Sequence, residues 1–237
     1  MSQRFLWFLP LAAALALTGC SSAGEQQPEP GQSQAQQQGG NLDAGQVETV
    51  VRNLLGDDPS LTVVGNETMQ QQLQMAKGVG SASGITPEKC AKQMEQYTVT
   101  DLTASVSATG SVADESLGKV VQVFSITDEA TRKKISDALK LDDISGCEKV
   151  YVEQSGEKVS AKRQILPLKV EADQALTMST QMDVGGGQEL SSVVVQALKG
   201  NSFVIVTFQT GLAESATMSA EAVELINKAF ADIDALN

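Results

Sequence analysis

The stretch that decides the fold is Gly200-Asn201-Ser202-Phe203-Val204-Ile205-Val206-Thr207-Phe208. A two-residue Gly-Asn break is followed by a run that is apolar on both of its alternating faces. A strand with one wet face alternates apolar and polar residues. This one does not, so it reads as a central strand with packing on both sides. The run at 190–198 ends at the same short break, which suits a hairpin.

Upstream, period-two segments fall at 148–154, 158–166 and 175–184, and short Gly-containing breaks such as Ser155-Gly156 and Gly185-Gly186-Gly187 join most of them. Connections this short join antiparallel neighbours. Two further strands are expected at 99–108 and 119–126, separated by a turn-rich stretch at 110–118. The sheet is therefore expected to be mainly antiparallel.

Five helices are expected around it. Residues 43–55 place Val47, Val50, Val51, Leu54 and Leu55 at helical spacing, with Gly56 just past the end. Residues 67–77 form a second helix, polar on most of its circumference. Thr86-Pro87-Glu88 reads as the start of a third, with Thr86 as N-cap and Pro87 in the first helical position. Thr127-Asp128-Glu129 starts a fourth, running to about 141, with Ile135, Ala138 and Leu139 buried. The last covers 219–236, with Val223, Ile226, Phe230 and Ile233 on one stripe. The predicted class is α+β: a mainly antiparallel sheet flanked by helices in a single domain.

The first 42 residues read differently. Arg4 precedes an apolar core at 5–17, broken by Pro10 and shorter than the roughly 20 residues a spanning helix needs. Leu17-Thr18-Gly19-Cys20 closes it as a lipobox: the small Thr18 and Gly19 fit a peptidase cleft, and the Cys20 thiol takes the diacylglycerol as a thioether. Residues 1–19 are thus expected to be a signal peptide, cut before a lipidated Cys20. The acyl chains on that one residue, with palmitate among them, are enough for stable anchoring. The segment 20–42 is Gln, Gly, Ser, Pro and Glu with almost nothing apolar, which reads as a flexible tether of roughly 25 Å reach. The domain then occupies 43–237. The expected location is the cell membrane, lipid-anchored and facing outside.

Composition narrows the chemistry. The 237 residues contain no histidine, which excludes Ser-His-Asp and Cys-His hydrolases and a histidine-built zinc site. The formal net charge of −12 disfavours nucleic acid and anionic head groups as partners, since both would be repelled on average. With Cys20 assigned to lipid, Cys90 and Cys147 remain as a pair in an oxidising compartment, and a disulfide between them is the default. The alternative, a redox pair, usually takes closer Cys-x-x-Cys spacing.

Other motifs favour structural readings. Gly185-Gly186-Gly187-Gln188 lacks the Lys-Ser/Thr and following helix of a phosphate loop, so a hairpin turn is expected. Asp57-Asp58 and Asp142-Asp143 lack the alternating carboxylates of a calcium loop and read as solvated helix ends. Met178 and Met182 share one strand face and read as core filling. Neither catalytic residues nor a metal or cofactor site is expected.

Pro87-Glu88-Lys89-Cys90 at a helix start, Ser145-Gly146-Cys147 after a helix, and Gly200 to Val206 before a closing helix resemble actinobacterial lipoproteins that look like the extracellular sensor domain of the PknH-type mycobacterial serine/threonine kinase. The resemblance spans 43–237. It implies an antiparallel sheet flanked by helices, a cleft for a small ligand, and no enzyme activity. That sensor carries two disulfides, whereas this chain has cysteines for one, Cys90 with Cys147. The sandwich of PsbP-like and Mog1-like proteins shows a similar order of elements. The expected function is a cell-envelope lipoprotein whose sensor-like domain binds a small ligand or an envelope partner outside the cell. A structural or scaffolding lipoprotein and a carboxylate-based envelope hydrolase are the alternatives.

Overall fold

A computed structural model describes residues 41–76, 84–97, 101–113, 117–154, 157–186, 189–211 and 215–237. The expected signal peptide, Cys20 and nearly all of the expected tether lie outside these residues. The described residues belong to one compact unit, Gly39–Asn237. Its helices are α1 (Ala44–Leu55), α2 (Asn66–Ala76), α3 (Glu88–Tyr97), α4 (Glu129–Ala138) and α5 (Ser215–Leu236). Its strands are β1 (Thr62–Val64), β2 (Ile85–Thr86), β3 (Ser105–Ala113), β4 (Leu117–Ile126), β5 (Lys149–Gln154), β6 (Glu157–Ile165), β7 (Gln174–Asp183), β8 (Glu189–Lys199) and β9 (Ser202–Thr210).

All nine strands form one sheet in the order β1-β3-β4-β9-β8-β7-β6-β5-β2, and every pairing is antiparallel. The strand read as central, β9, lies between β4 and β8. Its alternate residues Val204, Val206 and Phe208 enter one core together with Val121, Val123, Val193 and Val195. Phe203 enters a second core on the opposite face, its ring 5.8 Å from that of Phe124. Both faces are thus apolar for the reason expected from the run.

Helices α1 and α5 close the first face. Val47, Val50 and Val51 of α1 and Ala222, Ile226, Ala229 and Phe230 of α5 are fully or almost fully buried there. Asp43 caps α1, its carboxylate accepting from the Gln46 N–H at 2.9 Å while the Gln46 side chain accepts from the Asp43 N–H at 2.9 Å. On α5, Ile226, Phe230 and Ile233 are buried as expected. Val223 is only half-buried, and Met218, Ala222 and Ala229 complete the stripe.

Several expectations are corrected. The stretch expected as a turn at 110–118 is partly strand, since β3 runs to Ala113 and β4 begins at Leu117. Gly110 lies inside β3 because α1 crosses directly over it. A Cβ there would come within 2.4 Å of Val51 Cγ1 and 2.6 Å of Leu55 Cδ1. The glycine marks a close approach, not a turn. Residues 101–104, expected as strand, lie outside it. Thr86 does not cap α3 but pairs with Tyr151 in β2, and the Pro87 carbonyl accepts the first helical N–H, from Cys90, at 2.9 Å. Helix α4 stops at Ala138; Leu139 and Leu141 are still buried, but in a turn and loop. Strands β1 and β2, with three and two residues, are too short to leave a periodic signal.

Candidate functional site

The second face of the sheet is covered unevenly. At one end Phe124, Ile126, Leu198 and Phe203 pack with Ile135 of α4 and with Leu102, Leu139 and Leu141. Helix α2 lies against β3: Gln70 Nε2 donates to the Ser105 carbonyl at 2.6 Å, and Asn66 Oδ1 accepts from the Ser107 N–H at 2.9 Å. Near the other edge Cys90 of α3 and Cys147, just before β5, are joined by a disulfide with Cα atoms 5.5 Å apart. Across the middle, from β6 to β4, most side chains on this face are only half-buried.

The register sorts that middle into rows, because directly paired residues share a face. Arg163 lies opposite Thr180, Thr180 opposite Ser192, and Ser192 opposite Gln209. That row is polar. The next is mostly apolar: Ile165, Met178 and Val194, followed by Thr207 and Val120. A third runs Leu176, Gln196, Ile205, Gln122. A polar row thus borders an apolar one on a face that helices leave half open.

Arg163 is the exceptional residue. It is 9% exposed, and its Nη2 donates to the thioether Sδ of Met178 at 3.1 Å, a weak acceptor. Its Nη1 is buried with no hydrogen-bond partner among the described residues. No carboxylate there pairs with it. Glu148, whose backbone carbonyl accepts the Arg163 N–H at 2.7 Å, holds its own side chain exposed. Burial pushes the Arg163 guanidinium below its ordinary value, yet so strong a base keeps its charge at neutral pH. An unpaired buried charge costs on the order of several kcal/mol, a cost that structures normally offset with a counter-charge.

Two further orphaned atoms belong to strand residues of this same face: Ser107 Oγ and the acceptor Gln174 Oε1. The face sealed by α1 and α5 has none from its strands among the described residues. Unused hydrogen-bonding capacity is therefore concentrated on the half-open side.

The residues singled out from the sequence fall as follows. Cys90 and Cys147 meet in the disulfide. Met178 and Met182 share this face and pack against its core, and Met178 is also the sole hydrogen-bond partner of the Arg163 guanidinium among the described residues. Gly185 and Gly186 adopt positive φ in the β7–β8 hairpin, while Gly187 lies outside the described residues. One aspartate of each pair is engaged in its own loop. Asp58 Oδ1 accepts from the Ser60 N–H at 2.8 Å, and Asp143 Oδ1 from the Ser145 N–H at 2.7 Å. No group of three metal-ligating side chains occurs among the described residues. Arg163 escaped notice. The available signal was its phase: Val159, Ala161 and Ile165 alternate on one side of β6, and Arg163 takes the place of an apolar residue in that series.

The fold and this face define an α+β domain on a nine-stranded, wholly antiparallel sheet with one sealed and one half-open side. Solved structures similar to it include two mycobacterial proteins. One is the extracellular domain of PknH from Mycobacterium tuberculosis, at 12% identity and a TM-score of 0.43, with 80% of this chain and 98% of that one covered. The other is an uncharacterized protein from Mycobacterium smegmatis, at 13% identity and a TM-score of 0.42, with 81% and 98% covered. No protein-family profile matches the sequence, and no curated protein matches it significantly.

Proposed function

We propose that this chain is a cell-envelope lipoprotein, anchored through lipid on Cys20, whose domain binds a small ligand outside the cell on the half-open face of its sheet. The observation that carries the binding reading is the set of buried, unused polar atoms on that face, headed by the unpaired guanidinium of Arg163. A buried polar atom without a partner is rare in a folded protein and calls for an explanation. A ligand that supplies the missing partners is that explanation here. Binding without turnover accords with a sequence that holds no histidine. The lipobox and the polar stretch after it support the anchored, outward-facing location, and no helix among the described residues is long and apolar enough to cross a membrane.

Native mass spectrometry of the full chain after incubation with envelope extract tests the binding site. The expected result is a retained small-molecule adduct that Val194→Trp, in the middle of the half-open face, abolishes. Gln164→Trp, exposed on the opposite face of β6, leaves it in place. Absence of any adduct, or an adduct that Val194→Trp keeps, contradicts the reading.

A further inference from the structure

We propose that the ligand of this face is an amphiphile with an oxyanion head, a carboxylate or phosphate, which Arg163 holds while the apolar body lies along Ile165, Met178 and Val194. The inference rests on the half-open face being the binding site, and it adds the chemical class of what binds there.

Three observations carry it. First, Arg163 is nine-tenths buried with a free Nη1, and a planar guanidinium with donors to spare matches an oxyanion in a two-point geometry that neutral ligands do not reproduce. Second, the row it heads continues through Thr180, Ser192 and Gln209, all half-buried, with hydroxyl and amide donors for the remaining oxygens of such a head. Third, the adjacent row offers Ile165, Met178 and Val194, also half-buried, one strand pairing after another. A polar row beside an apolar row gives the two ends of an amphiphile separate places. Met178 belongs to both, touching the guanidinium and lining the apolar row, and its flexible thioether suits an acyl chain of variable shape.

Glu148, whose backbone carbonyl accepts the Arg163 N–H, holds its carboxylate exposed and makes no ion pair with the guanidinium. Its exposure leaves the guanidinium for an incoming anion. The protein's net charge of −12 opposes anions at long range, so the selection is local to this buried cation.

The test titrates the full chain, held in lipid nanodiscs with empty discs as blank, with three probes of one chain length: hexanoate and hexanol followed by 13C resonance, and hexyl phosphate followed by 31P. The expected result is saturable binding of hexanoate, hexyl phosphate or both, about tenfold or more tighter than hexanol. Whichever anion binds tighter identifies the head group. Arg163→Met is expected to bring that anion down to the affinity of hexanol and to raise the melting temperature of the ligand-free protein by a few degrees, since an apolar replacement removes an unpaired buried charge. Arg163→Lys keeps the charge without the fork and is expected to retain part of the preference, which covers the case of a poorly folding Arg163→Met. Equal binding of anions and hexanol, no binding of any probe, an anion preference that survives Arg163→Met, or a melting temperature that this change lowers would each overturn the proposal. The two readings fail separately. If the extract adduct is lost in Val194→Trp but unaffected by Arg163→Met, the face is a binding site and the oxyanion assignment is wrong.

Discussion

Arg163 on β6 and Met178 on β7 meet at 3.1 Å, guanidinium Nη2 to thioether Sδ, and no other side chain accepts from that guanidinium among the described residues. A thioether accepts weakly and carries no charge, so the contact positions the cation without neutralising it. If the nearby Glu148 neutralised it instead, removing that carboxylate would be costly. The structure predicts the opposite: Glu148→Gln should change stability by less than about 0.5 kcal/mol, as for an exposed unpaired side chain. Urea unfolding measures this. A loss of about 2 kcal/mol or more would mean that the two residues pair in solution.

Gly110 and Val51 set a second prediction. With 2.4 Å between a would-be Cβ and Val51 Cγ1, Gly110→Ala forces α1 away from β3 and should cost about 1–3 kcal/mol. Adding Val51→Ala should recover part of the loss, because it opens space where the methyl intrudes. The double-mutant cycle would then show a favourable coupling, whereas strictly additive losses would place the strain elsewhere.

The disulfide closes a separation of 57 residues between α3 and the start of β5. Its loss is expected to destabilise by about 4 kcal/mol on the chain-entropy estimate. Cys90→Ser and Cys147→Ser should therefore lower the melting temperature by similar amounts, and reduction of the wild-type chain should match them. Two free thiols in the unreduced, denatured native protein would contradict the pairing.

Stability should also fall in acid, and the responsible groups are the N-cap of α4, a residue on it and one after it. Hydrogen bonds from Lys133 and then Lys140 hold Asp137 down at about 2. Side-chain and backbone hydrogen bonds from Thr131 lower Asp128, and those from Ser145 lower Asp143. A carboxylate whose value is depressed in the folded state stabilises above its unfolded value, near 4, and loses that contribution as pH falls towards the folded one. The melting temperature should thus decline between about pH 4 and pH 2. Asp137 and Asp143 are exposed and Asp128 is half-buried, so the decline should be shallow and weaker in high salt. Lys133→Met should flatten it; an unchanged pH profile would show that these contacts do not act in solution.

The anchor is tested on the cell. Metabolic labelling with an alkyne palmitate is expected to tag the full chain and to fail with Cys20→Ala, with the protein then accumulating as an unprocessed precursor. Labelling that persists without Cys20 would remove the lipobox reading.

Much of the fold was legible in the sequence because its dominant signals are local. The two-sided apolar run of β9, the Gly breaks of the hairpins and the Thr127-Asp128-Glu129 start of α4 each act within a few residues of themselves. The errors came where a distant partner decides. Gly110 looks like a turn until α1 is laid across β3, and Thr86 looks like a cap until Tyr151 pairs with it. The candidate site is of the second kind. The sequence shows an arginine in the apolar phase of a strand, but only the register sets Arg163 in a row with Thr180, Ser192 and Gln209, and only the packing leaves its Nη1 unpartnered.

The central claim is that ligand occupies the half-open face, and strand β8 provides an internal comparison, since Val194 faces that side while Val193 and Val195 face the core under α1 and α5. Methyl-resolved NMR of the full chain, titrated with hexanoate, tests it most directly. The account predicts shifts in the methyls of Met178 and Val194, with those of Val193 and Val195 moving little. Shifts centred on Val193 and Val195, or equal changes on both faces, would contradict it.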